Sequence, residues 1–401
     1  MRRPRIRAAL FFFCYIFAME IIISKDEENR LRKELEGRTD FEALREKRYL
    51  AMPDLSRTEG SPLAEIVARV KAVPALAGFD VIEIPEIVPA DISFDLFDFP
   101  ADHPARSKSD TYYVDDKNIL RTHDTVFWYY YLQRPEIKER IAKGESMGAI
   151  CYGKVYRKDE IDSRHMNVFH QLGGWYLAPG SEKVEVEDLQ NALAEIAKCI
   201  FGDRAIRFNP DTFPYTDPSL ELELNVKGTA AEGPAKGEWL ELLGGGMPKK
   251  SVLKKMGVEG YHGWAFGFGL ERLAIASMAL PDIRLLWSDD ERVKKQLVLG
   301  EVYHEVSKYP PVVRDISFIV PNTFVPNDYF DLVREVGGDV VEDVALLDKY
   351  ENEAKLGSGN VSYAYRITYR AIDRTLTGEE VSALHAKLET ATKETFGATI
   401  R

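Results

Sequence analysis

Apolar residues recur at helical spacing in two stretches near the N-terminus. Asp26–Leu50 is otherwise charged, and the spacing of its leucines predicts an exposed helix or a pair of helices. In Ser61–Ala72 the apolar residues fall on one side of a helix, which predicts an amphipathic helix. The next stretch, Phe79–Val88, alternates between apolar and polar residues and predicts a strand.

Strand-like runs separated by Gly and Pro follow between Tyr112 and Leu285. They read YYV, AICYGKVY, WYLAP, LELELNV and EWLELLGGG. Two helical patterns interrupt them, Val186–Phe201 and Leu270–Ala279. Strands that follow one another directly predict an antiparallel sheet with helices packed on it, which is an α+β domain.

A second unit begins near Tyr309 and shows the β-α-β-β-α-β order of ferredoxin-like domains. Its predicted elements are the strand Asp315–Val320, the helix Asn327–Val336, the strands Val340–Tyr350 and Val361–Tyr369, the helix Thr377–Phe396 and a short terminal strand. The pattern therefore divides the chain into an N-terminal extension with a helical segment (1–60), a first domain (61–288), a linker (289–308) and a second domain (309–401).

Composition and charge narrow the class of protein. The 401 residues carry a net charge of −12, which argues against a nonspecific nucleic-acid binder but allows a local basic patch. The three cysteines have no spacing typical of a zinc site or a disulfide framework, so a reducing compartment is expected.

The N-terminus allows three interpretations. A basic start precedes the apolar segment Ala8–Ala18, which is too short to span a bilayer, since about 20 residues are needed. If the chain starts at Met19, residues 1–18 are absent from a cytoplasmic protein without a stable membrane partner. If they form a presequence, the protein is expected in the mitochondrial matrix. The third interpretation is a signal or an anchor.

Two stretches carry cations in positions that suit an anion. In GFGLER a glycine-rich strand leads into a helix, and Arg272 stands in the first turn, where the helix dipole favours a phosphate. A packed strand–helix joint gives the same pattern. The strand–loop–strand Tyr152–Gly174 has little apolar cover around its cations, which are Arg157, Lys158, Arg164, His165 and His170.

VYRKDE and GFGLER resemble motifs 2 and 3 of class II aminoacyl-tRNA synthetases. Three further stretches, HPARSKSDTYYV, ILRTHDT and TFPYTDPSLELEL, resemble phenylalanyl-tRNA synthetase of the single-chain, mitochondrial type. In that family a ferredoxin-like anticodon-binding domain follows the catalytic domain, and YPPVVRDISFIVP and YRITYRAIDRTLT resemble it. The resemblance extends from Phe79 to the C-terminus.

The resemblance implies ATP-dependent ligation of L-phenylalanine to tRNA(Phe) through phenylalanyl-adenylate. Catalysis then consists mainly of positioning and neutralising phosphate charge. By the same resemblance Arg157 contacts the α-phosphate, His165 approaches the terminal phosphates, and Phe169 stacks on adenine. Arg272 covers the other adenine face and reaches the γ-phosphate, and Asp159 meets the adenine edge.

An amino-acid pocket is also implied. Phe213 and Tyr215 correspond to two rings that hold the substrate ring, and Ala265 to the small residue below its para carbon. The residues expected around the carboxylate and ammonium groups are His123, Thr125 and Gln171.

This chain departs from the family within that pocket. Tyr215 stands where Phe is usual, and its hydroxyl either crowds the para position or accepts a substrate hydroxyl. Thr125 replaces Ser. Gly173 replaces the Glu that would face the ammonium, so either another acid serves there or ammonium binding is weaker.

The triphosphate implies Mg²⁺. Glu223 and Glu241, on two predicted strands, are the expected carboxylates on the metal side, although strand carboxylates are more often solvated than bound to metal.

Extended to Arg370, the predicted strand that begins at Val361 has an aromatic face and a polar face. Arg366 and Arg370, followed by Arg374, place cations along the polar face. A solvated polar face explains this pattern as well, but the resemblance implies contact with the anticodon stem and loop of the tRNA.

Two alternatives to this function stay open. One is a class II ligase with altered amino-acid specificity, which Tyr215 and Gly173 favour. The other is a noncatalytic tRNA-binding paralogue, although such a protein has no evident use for both Arg157 and Arg272. The resemblance to the single-chain type implies a monomer.

Overall fold

The computed structural model describes residues 18–227 and 238–401, so the predicted apolar segment Ala8–Ala18 lies outside the described residues except for Ala18. The chain packs as two compact units that divide between Tyr303 and His304. The domain boundaries predicted at residues 60, 288 and 308 stay predictions. Among the described helices, all are too short or too polar to cross a lipid bilayer.

An eight-stranded sheet forms the centre of the first unit, with the strand order β1-β2-β5-β6-β10-β9-β8-β7. A separate hairpin is formed by β3 and β4. The strands of this unit are β1 (Glu20–Ile22), β2 (Asp80–Glu83), β3 (Ile87–Pro89), β4 (Asn118–Leu120), β5 (Met147–Tyr156), β6 (Val168–Pro179), β7 (Ile206–Asp211), β8 (Thr216–Asn225), β9 (Trp239–Pro248) and β10 (Tyr261–Gly269).

Along the sheet, each pair from β5 through β6, β10, β9 and β8 to β7 is antiparallel, as predicted. The pairs β1–β2 and β2–β5 are parallel. The α-helices of the unit are α1 (Asp26–Glu36), α2 (Phe41–Ala51), α3 (Pro62–Lys71), α4 (Ala90–Phe94), α5 (Phe127–Leu132), α6 (Pro135–Ala142), α7 (Val186–Phe201), α8 (Lys250–Lys255), α9 (Leu270–Met278) and α10 (Glu291–Lys294).

The helical patterns of the first unit are confirmed with one correction. The amphipathic helix appears as α3 and the later helices as α7 and α9. The charged N-terminal stretch forms the pair α1 and α2, but it is not simply exposed, because Leu31 and Leu35 are buried in a cluster with Tyr49 and Tyr112.

Two strand predictions were wrong in detail. The stretch Phe79–Val88 breaks at Pro85, which lacks the N–H that a continuous ladder needs. Its first part pairs in the large sheet as β2, and its second part pairs with β4 in the hairpin. The YYV run at Tyr112–Val114 contributes only an isolated bridge from Tyr113 to Ile119.

The second unit has the predicted β-α-β-β-α-β order, with a short additional helix α12 between the two middle strands. Its elements are β11 (Val312–Pro321), α11 (Pro326–Gly337), β12 (Val341–Tyr350), α12 (Glu353–Leu356), β13 (Asn360–Tyr369), α13 (Gly378–Phe396) and β14 (Thr399–Ile400). The sheet order is β12-β13-β11-β14. The aromatic face of β13 is buried against α11 and α13, which confirms the period-two assignment.

Candidate active site

A cavity of about 810 Å³ opens on the large sheet of the first unit. This size is typical of sites that hold small molecules. It is bordered by β6, β9 and β10, by the loop between β5 and β6, and by the first turn of α9. Most of the residues that the sequence singled out line it, namely Arg157, Asp159, His165, Phe169, Arg272, Glu241, His123, Thr125, Gln171, Phe213, Tyr215 and Ala265.

The two arginines are held in different ways. The Arg157 Nε donates to the Thr122 carbonyl at 3.0 Å, and its guanidinium lies 5.2 Å from the centre of the Phe169 ring. The Arg272 Nη1 lies 2.8 Å from Glu241 Oε1. Both guanidinium groups are accessible from the cavity, so each can reach an anionic ligand there.

The loop between β5 and β6 is shaped by Asn167. Its Nδ2 donates to the carbonyl oxygens of Arg157 and Asp159, both at 3.1 Å, and its Oδ1 accepts from the Tyr49 hydroxyl at 3.0 Å. His165 stands on the exposed part of the loop, with its Nδ1 2.9 Å from an Asp162 oxygen. The loop thereby presents Asp159 and His165 to the cavity.

An aromatic group forms one end of the cavity. The rings of Phe213 and Tyr215 are nearly parallel, with centres 6.1 Å apart. Phe99 and Trp128, which the sequence did not single out, also line this end and lie 6.3 and 5.9 Å from the Tyr215 ring. Burial raises the pKa of Tyr215 to about 12, and its hydroxyl shares a hydrogen bond with Thr125. The hydroxyl is therefore engaged within the protein.

The remaining predicted pocket residues lie on neighbouring elements. Burial and the charge of Arg157 lower the pKa of His123 to about 4, so the ring is neutral, and its Nε2 donates to the Ser93 carbonyl at 3.2 Å. Ala265 is buried on β10 and places a small side chain at the cavity wall. The Gln171 Oε1 accepts from the Asp124 backbone N–H at 3.1 Å.

Asp124 is a carboxyl group at the cavity that sequence reasoning missed. It begins a 3₁₀ turn, is 2% exposed and borders the cavity. Its Oδ2 has no hydrogen-bond partner in the described part of the chain. Burial raises the pKa of Asp124 to about 7, despite the charges of Arg121 and Arg157. The one signal in the sequence was the glycine at position 173, which left room for another acid.

A buried pair, His170 and Glu271, joins β6 to α9. His170, which the sequence grouped with the cations suited to an anion, therefore does not line the cavity. The backbone N–H of His170 lies 2.9 and 3.0 Å from the two Glu271 oxygens. The His170 Nε2 accepts from the Leu55 N–H at 2.9 Å, so the Nδ1 carries the hydrogen and donates to Glu271 at 2.6 Å. This buried pair fixes the strand that carries Phe169 against the helix turn that carries Arg272.

The comparisons with known proteins agree with this geometry. Residues 49–297 match the model of the tRNA synthetases class II core domain (F), and residues 307–401 match the ferredoxin-fold anticodon binding domain. The chain belongs to the class II aminoacyl-tRNA synthetases. Its relatives place it in their phenylalanine–tRNA ligase family.

Three of these relatives illustrate the range of similarity. The chloroplastic/mitochondrial phenylalanine–tRNA ligase of Arabidopsis thaliana is 39% identical over 313 residues, covering 75% of this chain and 68% of the relative. The mitochondrial enzyme of Mus musculus is 35% identical, covering 79% and 74%. The mitochondrial enzyme of Saccharomyces cerevisiae is 30% identical, covering 71% and 75%.

The two carboxylates that the sequence assigned to a metal are direct partners on β8 and β9, but only one of them lines the cavity. Glu223 does not line it, and its Oε2 accepts from Asn209 at 2.7 Å and pairs with Arg207. Glu241 lines the cavity. The described residues contain no group of three or more His, Cys, Asp or Glu side chains arranged to hold a metal.

The three arginines predicted to contact tRNA are each paired with an acid. Arg366 binds Asp315 through two contacts of 2.8 Å, Arg370 binds Glu342 at 2.9 Å, and Arg374 binds Glu380 at 2.9 Å. Arg366 is exposed on the sheet face opposite the helices. The predicted basic stripe is therefore a row of ion pairs, and its net charge is lower than the arginines alone suggest.

The buried pair of His170 and Glu271 gives a first prediction. Replacing Glu271 by alanine leaves the His170 backbone N–H and Nδ1–H without their acceptor, which we expect to cost about 2–4 kcal/mol of unfolding free energy. Urea unfolding measures this loss, and the exposed Glu301→Ala serves as the control, expected within about 0.5 kcal/mol of the parent. A Glu271→Ala protein as stable as the control would show that the pair has no structural role.

Proposed function

We propose that the chain ligates L-phenylalanine to tRNA(Phe) at the expense of ATP, by way of phenylalanyl-adenylate. The observation that carries this proposal is the single cavity in which the two arginines of the class II motifs meet an aromatic pocket. The names of the relatives support the choice of amino acid.

In the first step the amino-acid carboxylate attacks the α-phosphorus of ATP. The new bond forms between carboxylate oxygen and phosphorus, the bond to the β-phosphate oxygen breaks, and pyrophosphate leaves with the electron pair. The nucleophile is already ionised, so a strong general base is not needed. We assign Arg157 to the α-phosphate, because its guanidinium is fixed by the Thr122 carbonyl and faces the cavity.

For the nucleotide we propose Phe169 and Arg272 on the two faces of adenine. An aromatic ring and a guanidinium form a favourable pair of surfaces for a base. Arg272 also reaches the γ-phosphate, and His165 approaches the terminal phosphates from the loop. Asp159 meets the adenine edge. Arg272 is paired with Glu241, so ATP binding is expected to loosen that ion pair.

Mg²⁺ accompanies ATP in this proposal, as is general for class II synthetases. The donor set fits a metal held largely by the triphosphate, because Glu241 is an accessible carboxylate on the cavity and Glu223 is engaged elsewhere. We therefore retain Glu241 and give up Glu223. The ion would neutralise phosphate charge, while Glu241 orients Arg272 in its absence.

The substrate ring is assigned to the aromatic end of the cavity. Phe213 and Tyr215 border it, and Ala265 leaves room at the para position. Whether the Tyr215 hydroxyl crowds the para position or accepts a substrate hydroxyl stays a prediction, which tyrosine activation by Tyr215→Phe tests. Thr125, His123 and Gln171 then surround the polar end of the amino acid.

In the second step a ribose hydroxyl at the tRNA end attacks the adenylate carbonyl and AMP leaves. The ferredoxin-fold domain is assigned to the anticodon stem and loop, with Arg366, Arg370 and Arg374 as contacts. For each of them, a tRNA phosphate must compete with the carboxylate that now pairs with the arginine.

A prediction follows for this domain. The double variant Arg366→Ala/Arg370→Ala is expected to weaken tRNA charging while leaving ATP–pyrophosphate exchange unchanged. Each lost phosphate contact should flatten the salt dependence of tRNA binding by about 0.7–0.9 units of log–log slope. The matched control is Arg334→Ala/Lys393→Ala, which removes the same charge from the helices on the other face. Equal losses in both variants would assign the effect to net charge alone.

ATP–pyrophosphate exchange with each amino acid in turn tests the whole proposal. Exchange that depends on L-phenylalanine supports it. Exchange with a different amino acid would support the class II ligase of altered specificity, which the glycine at position 173 and Tyr215 still favour. Absence of exchange with tRNA binding retained would identify a noncatalytic paralogue.

Compartment and assembly are part of the proposal. The relatives are named for mitochondria or for chloroplasts and mitochondria, which favours the predicted mitochondrial matrix over the predicted cytoplasm. We propose a monomer, because the resemblance to the single-chain type of this family implies one.

A further inference from the structure

Two glycines face each other on adjacent strands, and one of them, Gly267, lines the cavity. Gly173 on β6 pairs directly with Gly267 on β10, and by alternation Gly173 lies on the same face of β6 as Phe169 and Gln171. A Cβ built on Gly173 would lie 2.4 Å from Asp124 Oδ2, and one on Gly267 would lie 3.7 Å from Asp124 Oδ1. The Asp124 carboxyl therefore fills the space above both glycines.

This carboxyl group is placed at a cost to the folded protein. It is 2% exposed, and its Oδ2 accepts no hydrogen bond within the described residues. A buried carboxylate oxygen without a donor is unfavourable. Such a group at a cavity wall is stabilised when a ligand brings a cationic donor to it.

The position of Asp124 fits the ammonium group of an α-amino acid. Asp124 is flanked by His123 and Thr125, and its backbone N–H is bound by Gln171, so it stands among the polar residues at the cavity. The aromatic end begins nearby, since the hydroxyl of Tyr215 bonds to Thr125. Arg157, which serves anionic groups in the proposed function, acts electrostatically on Asp124 as well.

We propose that Asp124 is the carboxylate that receives the ammonium group of the amino-acid substrate, taking the place of an acidic side chain at position 173. The proposal rests on the proposed function, because it names the residue that selects an amino acid over an uncharged or anionic acid at the same site. It explains why position 173 is glycine, since any side chain there would collide with Asp124.

The first experiment compares two ligands that differ in the ammonium group alone. Calorimetry measures the Kd of L-phenylalanine and of 3-phenylpropionate for the full chain and for Asp124→Asn, which keeps the size and removes the charge. We expect the Kd of L-phenylalanine to rise about 100-fold in the variant, as for the loss of one partner of a buried charge pair. The Kd of 3-phenylpropionate should not rise in the variant, because this ligand has no ammonium group to lose a partner.

A carboxylate placed at position 173 instead of position 124 supplies the matched rescue. Asp124→Ala/Gly173→Glu restores an acid to the space of the Asp124 carboxyl. Asp124→Ala/Gly173→Ala adds a methyl group to that space without an acid. The backbone at Gly173 accepts a side chain, because its φ is not in the left-handed region. We expect the Glu variant to bind L-phenylalanine at least tenfold more tightly than its Ala control.

The pH dependence of binding gives an independent readout. The Kd of L-phenylalanine should fall between pH 6 and pH 8 as Asp124 ionises, and should not follow this course in Asp124→Asn. The neighbouring charged or titratable groups of the protein are Arg121, Arg157, Tyr215, Cys151 and His123. None of these is expected to titrate in that range, since the pKa of His123 lies near 4 and those of Tyr215 and Cys151 near 12.

The outcomes separate this inference from the proposed function. An unchanged Kd in Asp124→Asn, or an equal loss for both ligands, overturns the role of Asp124 and leaves the ligase function standing. A parent protein that neither binds nor activates any amino acid overturns both. Failure of the Glu variant to exceed its Ala control also contradicts the assignment.

Discussion

Replacing Arg157 by alanine is expected to slow adenylate formation by about 10²–10³-fold. The guanidinium is fixed by the Thr122 carbonyl and lies over the Phe169 ring, so its charge is already in place when the α-phosphate develops charge. ATP–pyrophosphate exchange with L-phenylalanine measures the loss. Binding of tRNA should be largely retained, because the proposed anticodon contacts lie in the ferredoxin-fold domain.

Arg164 provides the matched control for this prediction. It is another arginine of the loop between β5 and β6 and also lines the cavity. Arg164→Ala removes the same charge from the same region. We expect a much smaller loss of exchange, because no hydrogen bond or ion pair to a described residue fixes its guanidinium. Similar losses in both variants would mean that general positive charge, rather than the position of Arg157, drives the reaction.

The Asp124→Asn protein is expected to be more stable than its parent by about 2–4 kcal/mol at pH 8. Burial raises the pKa of Asp124 to about 7, above the value of about 3.9 expected in the unfolded chain. The folded parent therefore binds more protons than the unfolded parent between these pH values. Its stability falls as the pH rises from 4 to 7, and asparagine removes that penalty.

Urea unfolding at several pH values measures the difference. It should be small near pH 4, grow up to pH 7 and then stay constant. Asp159→Asn, which neutralises an exposed carboxylate at the same cavity, is the control and should show no such growth. A stability difference that does not depend on pH would show that Asp124 is not held in an unfavourable environment. If Asp124→Asn is more stable than the parent and also binds L-phenylalanine poorly, the Asp124 carboxylate lowers stability and is required for substrate binding.

The relation between sequence and structure differs between elements. Val186–Phe201 and the strands and helices of the C-terminal domain could be predicted closely, because the periods of 3.6 and 2 residues record which side of each element is buried. The alternation in Phe79–Val88 looked continuous, yet its two halves pair in different sheets. Pairing partners are distant in the chain, so local alternation does not reveal them.

The sequence by itself determined most of the residues proposed for the site that line the cavity, since motifs such as VYRKDE and GFGLER carry chemical groups at fixed spacing within one strand or one turn. It did not separate Glu241 from Glu223, which are direct partners on neighbouring strands. They differ in the side chains around them, since Glu223 binds Arg207 and Asn209 whereas Glu241 binds Arg272 in the cavity. Nor did it reveal Asp124, whose polar neighbours give no sign of burial. Only the tertiary structure brings this carboxyl group over Gly173 and Gly267, because the contact joins a turn to two strands that are far apart in the chain.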